Sequence, residues 1–155
     1  MPDLHGWIVF VHVAGVLIAF LAHGVSAGMA FKLTTTREPA AVRALIDMSR
    51  TALFVFAGAL LVVVASGIAA GFTGGHWGRL WIWTSIALFV AVFVAMTPMA
   101  AQRIRAVREI LLQEEGAQTA DAIATLLDAW RPMPTAVLGV SALLVITWLM
   151  MFRPF

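Results

Sequence analysis

Residues 10–24 of this 155-residue chain read FVHVAGVLIAFLAHG, an apolar segment that carries two histidines, His12 and His23. The segment belongs to a run without Asp, Glu, Lys or Arg that extends over residues 4–31. Such a run exceeds the roughly 20 residues that a helix needs to cross the hydrocarbon core of a bilayer. Because a histidine inside a membrane span is costly, both histidines are candidates for a functional site.

The rest of the chain repeats this apolar pattern. Of all residues, 62% are hydrophobic and only 12% are charged, about half the charged fraction of a typical soluble domain. The further charge-free runs are residues 51–78, 80–102 and 132–152. Strands are excluded because an open sheet edge cannot satisfy its backbone polar groups in lipid. We therefore predict an all-α protein, a single integral membrane domain of residues 1–155 that forms a transmembrane four-helix bundle, with spans at about residues 6–31, 51–73, 80–102 and 132–152.

The positions of the basic residues predict the orientation, since loops rich in Lys and Arg stay on the cytoplasmic side. All but Arg79 and Arg153 lie between spans one and two or between spans three and four: Lys32, Arg37, Arg43, Arg50, Arg103, Arg105, Arg108 and Arg131. Both termini should then face outside. Most tryptophans agree with this orientation, because they fall near the outer interface: Trp7, Trp77, Trp81, Trp83 and Trp148.

Short amphipathic cytoplasmic helices are predicted between spans three and four. Span three continues over residues 102–115, where apolar residues recur at helical spacing until Gly116. Thr119 is the expected N-cap of a second short helix that ends before Pro132. We expect this hairpin to lie solvated against the inner leaflet. A surface that docks a partner is the alternative.

Small residues and one proline predict how the spans pack. GVSAG at residues 24–28 and GIAAG at residues 67–71 both place small residues four apart, a spacing that lets helices approach closely. We expect both motifs to serve packing within the chain rather than dimerisation. Pro98 in span three is expected to kink that helix.

The histidines share one face of span one. His5, His12 and His23 are spaced so that, at about 100° per residue, they point in nearly the same direction. The depth of the antiparallel spans places His12 in a layer with Ser66, Gly67, Thr84, Ser85 and Thr147. It places His23 beside Met96, Thr97 and Met99, whereas His76 lies in the outer loop and can approach His5 or His12.

Three interpretations of this face remain open. As a haem b site, the cofactor-binding residues would be His12 and His23, with Met96, Met99, His76 or a histidine of another subunit as the second axial ligand. As a copper or zinc site, His5, His12 and His76 would form an outer histidine cluster, with Asp3 as the one carboxylate available to complete it. The candidate metal ligands are thus His12, His76 and, deeper in the membrane, His23; the chain has no cysteine to assist. In the third interpretation each histidine only hydrogen-bonds a Ser or Thr of a neighbouring helix.

A family resemblance is carried by FVHVAGVLIAFLAHGVSAGMAF, VVASGIAAG, WGRLWIWTSI and WLMMFRP, taken in this order. The chain resembles an uncharacterised bacterial family of small integral membrane proteins with four predicted spans. That family is distantly similar to the copper-resistance D-type membrane proteins and to the membrane-bound protoporphyrinogen oxidase of haem synthesis. The resemblance implies a helical bundle in the bacterial cytoplasmic membrane and makes haem or porphyrin a candidate ligand. His12 corresponds to a histidine early in the first span of those relatives, but the lysine in the third span of the oxidase-like ones has no counterpart in residues 80–102.

The function predicted from these observations is haem b binding in the membrane, in electron transfer or porphyrin handling. The alternative is a non-catalytic accessory or scaffold subunit of a larger membrane complex. Whether the protein is an enzyme stays open, since no intramembrane carboxylate and no phosphate-binding loop is evident. Expected partners are the lipid bilayer and other membrane subunits or a homodimer. Nucleic acid is not expected, because the formal net charge is only +2 and the bases are dispersed at span ends.

Overall fold

The computed structural model describes residues 3–113 and 117–155, without the side chains of residues 99–101, 103, 113 and 117–120. Its elements are α1 (Leu4–Thr35), α2 (Pro39–Thr73), a short 3₁₀ turn (His76–Gly78), α3 (Leu80–Gln113), α4 (Ala117–Asp128) and α5 (Pro132–Phe152). The prediction of an all-α protein is confirmed. By length and composition, four helical segments can cross a membrane: Leu4–Thr35, Pro39–Thr73, Leu80–Pro98 and Pro132–Phe152.

Local sequence signals account for several helix boundaries. The Asp3 carboxylate caps α1 by accepting a hydrogen bond from the Gly6 amide at 2.8 Å. Pro39 and Pro132 stand at the starts of α2 and α5, where a missing N–H costs nothing. Gly75 adopts a positive φ of 64° in the turn after α2, a conformation that favours glycine.

Helix pairs organise the bundle. α1 and α2 form an antiparallel hairpin that packs along its length, from His5 beside Thr73 at one end to Met29 beside Ser49 at the other. α3 and α5 form the second pair, and the two pairs touch each other less extensively. We call the end that holds the start of α1, the 3₁₀ turn and the end of α5 the terminal end. The opposite end is the α4 end.

Five of the six tryptophans lie towards the terminal end, as the sequence predicts for one membrane interface, whereas Trp130 packs against the core at the α4 end. Trp7 lies at the start of α1, Trp77 in the 3₁₀ turn and Trp148 near the end of α5. Trp7 is exposed, whereas Trp81 is buried within the protein and so is not an interfacial anchor. Packing of Trp81 therefore shapes the terminal end of the bundle from inside.

The best-buried apolar core lies at the α4 end. α2 begins at Pro39, about three turns before the charge-free run that starts at residue 51, and α3 extends to Gln113. These extensions and α4 bury a cluster made of Leu33, Val42, Ile46, Val107, Leu111, Ile123 and Leu127. The prediction of short helices after span three is confirmed. Their expected placement as a solvated hairpin on the leaflet is wrong, because the apolar face of α4 is covered by protein.

The predicted cap of α4 is also wrong. α4 begins at Ala117, so Thr119 lies inside the helix. Gly116, which was expected to end the preceding helix, lies outside the described residues. Pro98 lies inside α3, where it cannot donate the hydrogen bond that the carbonyl of Val94 would otherwise accept.

The two glycine motifs have different roles. In α2, a Cβ added at Gly67 would lie 3.0 Å from the ring of His12, and one at Gly71 would lie 2.9 Å from the ring of Trp77. A Cβ added at Gly24 or Gly28 would have no atom within 4 Å beyond its chain neighbours and the adjacent backbone of α1. Packing within the chain is therefore confirmed for GIAAG, whereas the same expectation for GVSAG is wrong.

Candidate functional site

His12 joins α1 to α2 at the level that the sequence predicts. Its half-buried ring places Nδ1 2.9 Å from the carbonyl oxygen of Val63 and 3.3 Å from the hydroxyl of Ser66, while the ring packs on Gly67. A carbonyl can only accept, so Nδ1 carries the proton and Nε2 of the neutral ring keeps its lone pair. This arrangement is typical of ligating histidines, whose second nitrogen is oriented by a backbone carbonyl.

Other predicted neighbours of His12 bond within their own helix. The hydroxyls of Thr84 and Ser85 donate to the carbonyls of Leu80 and Trp81, at 3.0 and 2.8 Å. Of the predicted layer, Ser66 and Gly67 are the residues that contact His12. The depth of His12 along its span, calculated from the sequence, therefore predicted its contact with α2 correctly.

His23 and Met96 meet at Gly139, which brings together α1, α3 and α5. A Cβ added at Gly139 would lie 2.9 Å from Nε2 of His23, 3.3 Å from Cε of Met96 and 3.6 Å from its Sδ. The ring of His23 also contacts that of Phe56, with the ring centroids 5.8 Å apart. The structure thus confirms that Met96 lies near His23. The side chain of Met99, the other predicted ligand, lies outside the described part.

His5 is held at the terminal end by α2. Its Nδ1 lies 2.7 Å from the hydroxyl of Thr73, and that hydroxyl donates to the carbonyl of Ala69 at 3.0 Å. Because the proton of Thr73 is already used, Nδ1 of His5 is the donor in this pair.

His76 packs beside His5, as the sequence predicts. The ring centroids of His5 and His76 lie 6.3 Å apart. Both rings contact Gly74, where an added Cβ would lie 2.5 Å from Nε2 of His76 and 2.9 Å from Cε1 of His5. The ring of Trp81 lies 5.5 Å from that of His76, and the guanidinium carbon of Arg153 lies 5.7 Å from the ring of Trp81.

The predicted metal ligands are not brought together. His12 contacts Gly67 and His76 contacts Gly74, which lies seven residues, or about 10 Å, further along the chain. His23 lies roughly 16 Å from the level of His12 along α1. Within the part of the chain that the structure describes, no group of three or more His, Cys, Asp or Glu side chains is placed to hold a metal ion.

Several residues at these sites were not identified from the sequence. Gly139, Gly74 and Arg153 each contact a candidate side chain or its immediate neighbour. The chain contains 12 glycines, so a single glycine in an apolar run does not show which ring will rest on it. Arg153 follows the last span, where a basic residue is common, so its position gave no signal of a site.

The surroundings of His76 predict how the stability of the protein depends on pH. Burial lowers the pKa of His76, and the positive charges of Arg153, His5 and Arg79 lower it further. Below the ordinary histidine pKa of about 6.5 the unfolded chain therefore binds this proton more readily than the folded protein. We expect the melting temperature in detergent to fall as the pH drops from about 7.5 to about 5.5, and the His76→Gln variant to have a flatter profile. Identical profiles for both proteins would refute this role of His76.

The helices and their apolar surfaces define a polytopic α-helical membrane protein. The chain belongs to the family described as "Predicted integral membrane protein (DUF2269)", whose model matches residues 7–154. No curated protein and no solved structure matches the chain.

Proposed function

We propose that this protein binds haem b within the membrane and serves electron transfer or porphyrin handling, with His23 and Met96 as axial ligands. The convergence of His23 Nε2 and Met96 Sδ at Gly139 carries the proposal. These are an imidazole nitrogen and a thioether sulfur, the axial pair of cytochromes c. They come from α1 and α3, which belong to different helix pairs.

The position of this pair between α1, α3 and α5 also supports the proposal. Facing helices of a bundle commonly supply both the ligands and the apolar slot of a haem site. At Gly139 the absence of a side chain lets His23 and Met96 approach α5 closely, and the two helix pairs contact each other less extensively than the helices within each pair. A bound haem b would supply one-electron chemistry, while His23 and Met96 would hold the iron and set its potential.

His12 supports a second position in the same membrane. Its protonated Nδ1 is fixed by Val63, which leaves Nε2 as a potential ligand atom. We also propose a distant relation to copper-resistance D-type proteins and to membrane-bound protoporphyrinogen oxidase, in which His12 would correspond to their early histidine. Since His12 and His23 lie roughly 16 Å apart along α1, two stacked sites fit better than one shared site.

The test is an absorption spectrum of the protein purified in mild detergent after expression with added haem. We expect a Soret band that shifts on reduction with dithionite and is lost in His23→Ala. Met96→Leu should retain haem but lower its midpoint potential, because methionine ligation raises it. Met133→Leu, at an exposed methionine, is the matched control and should leave the spectrum unchanged.

Other results would change the proposal in defined ways. A featureless spectrum from folded wild-type protein would refute haem binding. Loss of the band in His12→Ala but not in His23→Ala would move the site to the level of Val63 and refute the ligand assignment.

We also propose that the protein lies in the bacterial cytoplasmic membrane with its terminal end outside. The basic residues concentrate at the α4 end, which the positive-inside rule places in the cytoplasm. The chain contains no cysteine, so single cysteines can report the orientation directly. In intact cells a membrane-impermeant maleimide should label Phe155→Cys and not Glu38→Cys; the reverse pattern would invert the assignment.

A scaffold or accessory role is the second candidate, and the open glycines of GVSAG favour it. Gly24 and Gly28 have no neighbour where a side chain would stand, so this face of α1 can receive another helix closely. Replacing both with leucine should release a membrane partner that co-purifies with the wild type, while the spectrum stays as it was. Unchanged co-purification would refute this role for the face.

A further inference from the structure

Four basic groups lie at the terminal end, and they come from three parts of the chain. We call His5, His76, Arg79 and Arg153 the terminal cluster. His5 stands at the start of α1, His76 in the 3₁₀ turn, Arg79 just after it and Arg153 just after α5. The amide of Arg79 donates to the carbonyl of His76 at 2.9 Å, which ties the arginine to the turn.

The arginine at the end of α5 is held in place. Its guanidinium lies over the ring of Trp81, which is buried and also contacts His76. The backbone of Arg153 has a φ of 46°, in the left-handed region that favours glycine. This conformation is common where helices end, and it terminates α5 at Arg153.

The cluster has no acidic partner among the described residues. The nearest acid along α1, Asp3, accepts the capping hydrogen bond of the Gly6 amide. The ion pair found in the described part of the chain joins Arg37 to Asp128, at the opposite end of the bundle. Within the described residues no ion pair therefore joins the terminal cluster to an acid, and its two guanidinium charges outnumber the single carboxylate of Asp3.

This charge argues against a divalent cation and for an anion. Two imidazoles alone resemble a partial copper or zinc site, but the two guanidinium groups are permanent positive charges that would repel the metal. The same groups suit a phosphate, whose oxygens accept hydrogen bonds from guanidinium and imidazolium donors. The exposed Trp7 and Trp83 at the same end place the cluster at headgroup depth.

We propose that the terminal cluster binds the phosphate group of an anionic ligand at the membrane surface. His5, His76, Arg79 and Arg153 supply the donors, and Gly74 allows the two imidazoles to approach each other. The phosphate comes from an anionic phospholipid headgroup or from a soluble phosphate. The cluster lies roughly 27 Å from the level of His23 along α1, so the proposal does not depend on haem binding.

The test measures binding of phosphatidylglycerol and phosphatidylcholine to the full-length protein in detergent by native mass spectrometry. We expect wild-type protein to retain phosphatidylglycerol in preference to phosphatidylcholine, and Arg153→Gln and His76→Gln to bind it about fivefold more weakly. Arg153→Lys should recover part of the loss. Arg50→Gln is the matched control, because Arg50 also lies over an aromatic ring, that of Phe54 at 5.6 Å, but at the α4 end.

The pH dependence of lipid binding provides a second test of the proposal. A bound phosphate favours the protonated form of His76, so the affinity for phosphatidylglycerol should rise as the pH falls towards about 5.5. The charged groups around His76 are His5 from α1, Arg79 and Arg153, whereas α2 contributes the neutral Thr73. The His76→Gln variant should lose most of this pH dependence.

The outcomes separate the two sources of phosphate. Displacement of the lipid by millimolar inorganic phosphate would identify a soluble ligand, and resistance to displacement would identify the headgroup. Equal binding of both lipids together with no effect of inorganic phosphate on stability would overturn the proposal. Wild-type affinity in both Arg153→Gln and His76→Gln would do the same.

Discussion

Replacing Leu111 by alanine is expected to lower the free energy of unfolding by about 2–4 kcal/mol, whereas the same change at Leu112 should cost less than about 0.5 kcal/mol. The two leucines are neighbours on α3, but Leu111 is 7% exposed and Leu112 is 72% exposed. Leu111 packs with Ile123 and Leu127 of α4. Its truncation therefore leaves a cavity in the cluster that holds α4 in place.

The measurement is denaturant or thermal unfolding of both variants in the same detergent, together with limited proteolysis near Asp128. We expect Leu111→Ala to expose the α4 region to cleavage and Leu112→Ala to behave like the wild type. Equal effects of both substitutions would mean that the extended part of α3 lies on the lipid surface instead of packing against α4. That outcome would support the arrangement expected from the sequence, in which the helices after span three lie against the inner leaflet.

Replacing Gly71 by alanine is expected to cost about 1–3 kcal/mol, because the new methyl group has no space. Its Cβ would lie 2.9–3.0 Å from three atoms of the Trp77 indole. The ring cannot turn aside easily, since it packs on Phe72 and Trp83 with centroid distances of 5.3 and 5.6 Å. The backbone carbonyl of Trp77 also accepts from the indole of Trp83 at 3.0 Å.

The matched control lies on the same helix and should change stability in the opposite direction. A Cβ at Gly58 would meet no atom of another residue within 4 Å. Gly58→Ala should therefore stabilise α2 by about 0.5–1 kcal/mol through its higher helix propensity. Melting temperatures of the two variants test the pair, and a Gly71→Ala protein as stable as Gly58→Ala would contradict the close packing at Trp77.

Part of each candidate site could be predicted from the sequence, and part could not. The depth of the spans was sufficient to predict His12 beside Ser66, His23 beside Met96, and His76 near His5. The depth of a residue in a span follows from the constant rise per residue of a helix, so it can be calculated without knowledge of the fold. Helix packing decides which neighbouring helix a side chain faces. Gly139 and Arg153 were therefore missed as parts of these sites.

The sequence by itself determined that four helices are long and apolar enough to cross a membrane, because charged residues are so costly in lipid that they interrupt the chain only between such runs. It also determined the start of the last span at residue 132, where α5 begins with a proline. Only the tertiary structure decided that GIAAG packs inside the protein while GVSAG faces outward, and that α4 covers the extensions of α1, α2 and α3. Both motifs have the same local chemistry, and an apolar face can be covered equally well by lipid or by protein. Which surface covers it depends on the pairing of helices distant in the chain, and that pairing has no local signal.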